Sequence, residues 1–130
     1  MVPMRDIKAA AREIARRFAP ERVLLFGSYA YGKPTKDSDV DFLILMKGKG
    51  RRVHDKALRI SLAINFGFPV DLVVRSPEEF ERRIEMGDYF LREIQEKGKV
   101  LYEATDARVG EKSRGRLRNG ESRGPGAKVA

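Results

Sequence analysis

The chain has 130 residues, of which 42% are hydrophobic and 35% charged, with a formal net charge of +8. That length supports one modest core, so a second catalytic or substrate-binding domain would have to come from another chain. There is no cysteine, which excludes disulfides and thiolate metal sites, and no apolar run is long enough to span a bilayer.

Residues 1–6 lack the apolar stretch of a secretory signal, so cytoplasmic residence is expected. Ile7, Ala11, Ile14 and Phe18 recur at helical spacing and predict an amphipathic helix over residues 4–18, stopped by Pro20. Residues 22–26 (RVLLF) read as a buried strand. Residues 27–36 carry two glycines and a proline and read as a turn or loop. Residues 39–46 (DVDFLILM) are a second strand, apolar on both parities beyond its carboxylates, as a central strand requires. A basic loop, 47–52, leads to a helix marked by Val53, Ala57, Ile60 and Ile64, with Gly67 as its stop signal. Residues 70–74 (VDLVV) are a third strand. Ser76-Pro77-Glu78-Glu79 combines a cap residue, proline at the first helical position and glutamate three residues after the cap. Phe80 and Ile84 mark that helix's buried side. Gly87-Asp88 breaks it, Phe90, Leu91 and Ile94 mark another, and residues 99–102 read as a last short strand. From residue 104 onward, five glycines, many charges and few large apolar residues predict a basic disordered tail.

The order of elements gives an α/β (α+β) fold, a small sheet packed against helices. The globular domain covers residues 1–103 and the tail 104–130. The tail carries seven Lys/Arg against three Asp/Glu. Such a basic excess suits nucleotide phosphate, nucleic acid or an acidic protein, or serves solubility alone.

Asp39 and Asp41 lie two apart on a predicted strand, so both point to one face, with Cα atoms roughly 6.5–7 Å apart. Carboxylates held this close resist joint ionisation, and a divalent cation removes that cost. Oxygen-only ligands favour Mg²⁺ or Mn²⁺ over zinc. Asp71 opens an apolar strand where an acid has no packing reason to stand. If that strand neighbours the second, three carboxylates can hold two cations about 3.5–4 Å apart, the spacing used for in-line displacement at phosphorus. Taken singly, an aspartate before an apolar strand is also ordinary turn chemistry; the three together are harder to explain that way, because aspartate is disfavoured inside strands. Gly27-Ser28 directly follows the first strand. Glycine permits close backbone approach to a phosphate, and the amides and hydroxyl after it can donate to phosphate oxygens. The turn is not a Walker loop, since the Gly-Lys-Ser/Thr ending is missing.

The stretch FGSYAYGKPTKDSDVDFLIL resembles the signature of the DNA polymerase beta-like nucleotidyltransferase superfamily. Length and motif are similar to the minimal nucleotidyltransferases, often encoded beside HEPN proteins as antitoxins of toxin–antitoxin pairs. The resemblance runs from about Val23 to Tyr102 and includes VDLVV around Asp71. It implies a mixed sheet flanked by helices. It implies that Gly27 and Ser28 contact the triphosphate of ATP, that Asp39 and Asp41 ligate Mg²⁺, and that Asp71 is a ligand and the base for the acceptor hydroxyl. It further implies transfer of AMP from ATP to a tyrosine of a HEPN ribonuclease partner. Tyr31 stands where the common form of the motif, Gly-Ser-x-Ala-Arg-Gly, has arginine. Two other functions fit the same residues: an antitoxin that neutralises its partner by occlusion without catalysis, and nucleotidyl transfer to a small molecule. A homo-oligomer is compatible with either.

Among the remaining residues, His54 reads as a surface residue on a helix. Tyr29 and Tyr31 read as packing residues or as a stacking surface for a base. Any nucleic-acid contact is expected only from the basic loop or the tail.

Overall fold

Helix α1 (Met4–Phe18) forms where the periodicity places it. Ile7, Ala11 and Ile14 are fully buried along one stripe, and Arg5, Asp6, Arg12, Arg16 and Arg17 are exposed on the rest of the surface. Ala19 takes a left-handed conformation (φ 48°) and its amide returns to the Ala15 carbonyl at 3.0 Å, closing the helix one residue before Pro20. The structure is a computed structural model and describes residues 1–48, 51–104 and 127–129.

The chain continues as β1 (Arg22–Phe26), a one-turn helix α2 (Ser28–Tyr31), β2 (Val40–Leu45), α3 (Arg51–Ala63), β3 (Val70–Arg75), α4 (Pro77–Glu85), α5 (Tyr89–Lys97), β4 (Lys99–Ala104) and β5 (Ala127–Val129). The sheet order is β3-β2-β1-β4-β5. β2 and β3 run parallel, joined by the crossover through α3, and every other pair is antiparallel. The sheet is therefore mixed, as the resemblance implies.

Its two faces are covered separately. Val23 and Leu25 of β1 with Val40, Phe42 and Ile44 of β2 pack against α1 and α3. Leu24 and Phe26 with Leu43 and Leu45 pack against Phe80 of α4 and Leu91 and Ile94 of α5. Helices on both faces explain why β1 and β2 are apolar at every position facing a helix layer. The α4 start forms as the sequence predicts. Buried Ser76 accepts from the Glu79 amide at 3.1 Å, with Pro77 at the first helical position. Ser76→Ala is expected to cost about 1 kcal/mol, read as a lower urea midpoint with unchanged slope.

Several boundaries differ from the sequence reading. β2 begins at Val40, whose amide makes the first cross-strand bond, to the Pro69 carbonyl at 3.0 Å, so Asp39 stands just ahead of the strand. Residues 28–31 of the predicted loop wind into α2, because Gly27 supplies a positive φ and its carbonyl then accepts from both Ala30 and Tyr31. Arg51 and Arg52 of the predicted basic loop belong to α3, while positions 49 and 50 lie outside the described residues. Of the stretch read as a tail, residue 104 ends β4, residues 127–129 pair with β4 as β5, and 105–126 and 130 lie outside the described residues. The reading of the His54 side chain also lies outside them. No helix among the described residues is long and apolar enough to cross a membrane.

Candidate active site

Strand registers place two of the candidate carboxylates, Asp41 and Asp71, in one row. Phe26 of β1 pairs with Asp41 of β2, and Asp41 pairs with Asp71 of β3. Paired residues on adjacent strands point to the same face. Leu43, two residues beyond Asp41, belongs to the α4/α5 cluster, so the row Phe26–Asp41–Asp71 opens on that side, at the end of the sheet. β2 and β3 are neighbours, which meets the condition under which Asp71 joins the other two carboxylates. Asp71 and Asp39 are exposed and Asp41 is half-buried.

Electrostatics tie the three carboxylates together. Asp41 is pushed up to about 6, first by burial and then by the neighbouring charges of Asp71 and Asp39. Metal-free, the site disfavours its own full ionisation. A divalent cation would relieve the repulsion, and the donors on offer are all oxygens, which suits Mg²⁺ or Mn²⁺. The chain has no cysteine and one histidine. That histidine lies on α3, the helix packed on the opposite face of the sheet. Among the described residues, no three acidic or histidine side chains are already closed round a metal position. The donor chemistry fits a cation, which Asp39, Asp41 and Asp71 would hold and which would neutralise their mutual repulsion.

Gly27 ties the turn to the carboxylates. Its backbone (φ 76°, ψ −158°) lies in a region essentially reserved for glycine. A Cβ there would overlap Asp41 Oδ2 and stand 3.1 Å from its Cγ. The Asp41 carboxylate thus rests directly against the Gly27 Cα, and Ser28 follows at the same corner as the first residue of α2. Tyr29 and Tyr31 diverge from this corner. Tyr29 packs with the α1/α3 cluster and its hydroxyl accepts from the Val2 amide at 3.1 Å, whereas Tyr31 packs with the α4/α5 cluster. Both are packing residues here.

One neighbour escaped the sequence reading. Phe90, at the start of α5, meets Phe26 edge-on with ring centroids 5.5 Å apart. An aromatic pair thereby borders the carboxylate row. Phe90 lies 64 positions after Phe26 in the sequence, and no local periodicity joins them.

Residues 7–102 match the family model described as a nucleotidyltransferase domain. The chain belongs to this family. The nucleotidyltransferase is similar to two Methanocaldococcus jannaschii proteins that each carry the name putative protein adenylyltransferase. One is 37% identical over 82 residues, covering 63% of this chain and 78% of that protein. The other is 35% identical over 78 residues, covering 60% and 75%. It also resembles the crystal structure of a putative nucleotidyltransferase from Sulfolobus solfataricus, at 26% identity and a TM-score of 0.55, covering 77% of this chain and 79% of that one. The nucleotidyltransferase is accordingly a transferase enzyme on a mixed α/β scaffold.

Proposed function

We propose that this nucleotidyltransferase moves AMP from ATP to a hydroxyl of a protein, using Asp39, Asp41 and Asp71 to hold two Mg²⁺ ions and Gly27 and Ser28 to hold the triphosphate. The observation that carries the reading is the registered pair Asp41–Asp71, with Asp39 close enough to act on the same carboxylate and the Gly27 backbone seated against it. The names of the two archaeal relatives support a protein acceptor.

The reaction balances without a further reagent. The acceptor oxygen bonds to the α-phosphorus, the bond from that phosphorus to the β-bridging oxygen breaks, and pyrophosphate leaves. Asp71, the exposed end of the row, takes the hydroxyl proton. Asp41, fixed by its strand and by Gly27, sets the reference position. Bound divalent cations supply charge neutralisation on the phosphates and a lower pKa for the attacking hydroxyl. The Ser28 hydroxyl and nearby amides donate to phosphate oxygens.

The acceptor we propose is a tyrosine of a HEPN ribonuclease toxin, with this chain acting as its antitoxin in the cytoplasm. The resemblance of the FGSYAYGKPTKDSDVDFLIL stretch to the minimal nucleotidyltransferases supports that assignment. Incubation with α-labelled ATP, Mg²⁺ and a purified HEPN protein is expected to label the HEPN band. EDTA should remove the signal, excess Mn²⁺ should restore it, and Asp71→Asn should lower the rate at least about 100-fold. Protection against the toxin that survives Asp71→Asn, with no label in the wild type, would replace catalysis by occlusion.

A further inference from the structure

Apart from Met1, the large exposed apolar side chains among the described residues gather in two places: Leu58 and Leu62 on α3, and Met86, Tyr89 and Phe90 at the α4–α5 turn. Phe90 of the second group adjoins the carboxylate row, because it packs on Phe26 and Phe26 pairs with Asp41, and Met86 and Tyr89 stand on the same turn. Met86 is 76% exposed and Tyr89 82%. The turn that displays them is braced. The Asp88 side chain accepts from the Leu91 amide and from Arg83 Nε, each at 3.0 Å. The Asp88 amide donates to the Arg83 carbonyl at 2.9 Å, and Arg92 donates to the Ile84 carbonyl at 3.2 Å. A methionine and two aromatics on a fixed frame, with their apolar surface in water, have the composition of an interaction site rather than of scattered surface.

Charge indicates what comes to it. α4, α5 and the Asp88 between them carry seven Asp/Glu against four Lys/Arg, whereas α1 and α3 carry nine Lys/Arg against three Asp/Glu. The layer beside the carboxylates is therefore acidic in a protein whose overall charge is +8. An acceptor has to present its hydroxyl on this face, since Asp41 and Asp71 both open there.

We infer that the Met86–Phe90 turn is the docking shelf for the acceptor, and that the acceptor segment is basic and carries an apolar anchor beside its reacting hydroxyl. This rests on the protein-acceptor reading above. Met86, Tyr89 and Phe90 receive the anchor, and the net acidic charge of α4 and α5 selects for lysine and arginine.

The test uses the wild-type protein and two fluorescent synthetic peptides, each with a central Tyr next to Leu, one flanked by Lys/Arg and the other by Glu. Anisotropy at low salt is expected to show the basic peptide bound at least about tenfold more tightly, with the advantage shrinking as salt rises. Tyr89→Ala and Met86→Ser should each weaken it at least about fivefold, and Leu62→Ser on α3 should leave it unchanged. Both shelf positions are exposed, so the variants should melt like the wild type. Equal binding of the two peptides, or indifference to Tyr89 and Met86, overturns the shelf. So does a self-associated protein, seen by sedimentation, that the same substitutions dissolve while no peptide binds. Mg-ATP added to the same mixtures separates the two readings. Peptide bound but never adenylylated counts against transfer and leaves the shelf standing. Adenylylation indifferent to peptide charge counts against the shelf and leaves transfer standing.

Discussion

Asp41→Asn is expected to lower nucleotidyl transfer at least about 1000-fold and, in the same protein, to raise the stability of the metal-free fold at neutral pH. The first effect follows from losing the central charge of the row. Charge stabilisation of several kcal/mol at the transition state corresponds to three or more decades in rate. The second follows from the raised Asp41 pKa of about 6, caused by burial and by the charges of Asp71 and Asp39. In the unfolded chain a carboxyl titrates near about 4. Between about pH 4 and 6 the folded state therefore holds the extra proton, and stability falls as pH rises through that window. Above pH 6 the ionised carboxylate opposes the metal-free fold. Asparagine removes that cost, worth about 1 kcal/mol after allowance for solvent at a half-buried group. Thermal melts in EDTA at pH 4 and pH 7.5 check it: the variant should gain a few degrees at pH 7.5 and little at pH 4. Mg²⁺ with ATP should stabilise the wild type more than the variant.

Gly27→Ala is expected to damage both fold and activity, at about 3 kcal/mol of stability. Two costs combine. The backbone angles (φ 76°, ψ −158°) strain any residue with a side chain, and the new methyl would meet the Asp41 carboxylate. Only the second depends on Asp41. The double variant Gly27→Ala/Asp41→Ala should therefore be more stable than the sum of the single changes, by at least about 1 kcal/mol in a denaturant cycle. Additivity would mean that the glycine serves the turn alone and is not packed against the carboxylate row.

Much of this arrangement was legible in the chain. The apolar parity of residues 40–45 announced a strand covered on both faces, and Asp41 and Asp71 stood out because aspartate has no packing role inside such strands. The helix start at Ser76 was readable from its cap and proline. What the sequence withheld was set by register and distance. Asp39 falls ahead of β2, because the first cross-strand bond is made by the Val40 amide with a carbonyl from the segment before β3. No local pattern specifies where a partner strand begins. The one-turn helix after Gly27 is too short to show periodicity. Phe26 and Phe90 meet only once β1 and α5 are packed, so the aromatic border of the site had no signal in either segment alone.

The most direct measurement of nucleotidyl transfer compares two labels. The protein, Mg²⁺ and an acceptor are incubated in parallel with ATP labelled at the α-phosphate and at the γ-phosphate, and both the acceptor and the released small molecules are followed. The carboxylate row acting as proposed places the α label on the acceptor and the γ label in free pyrophosphate, with neither transfer occurring in Asp41→Asn. Appearance of the γ label on the acceptor, or of the α label undiminished in Asp41→Asn, would contradict it.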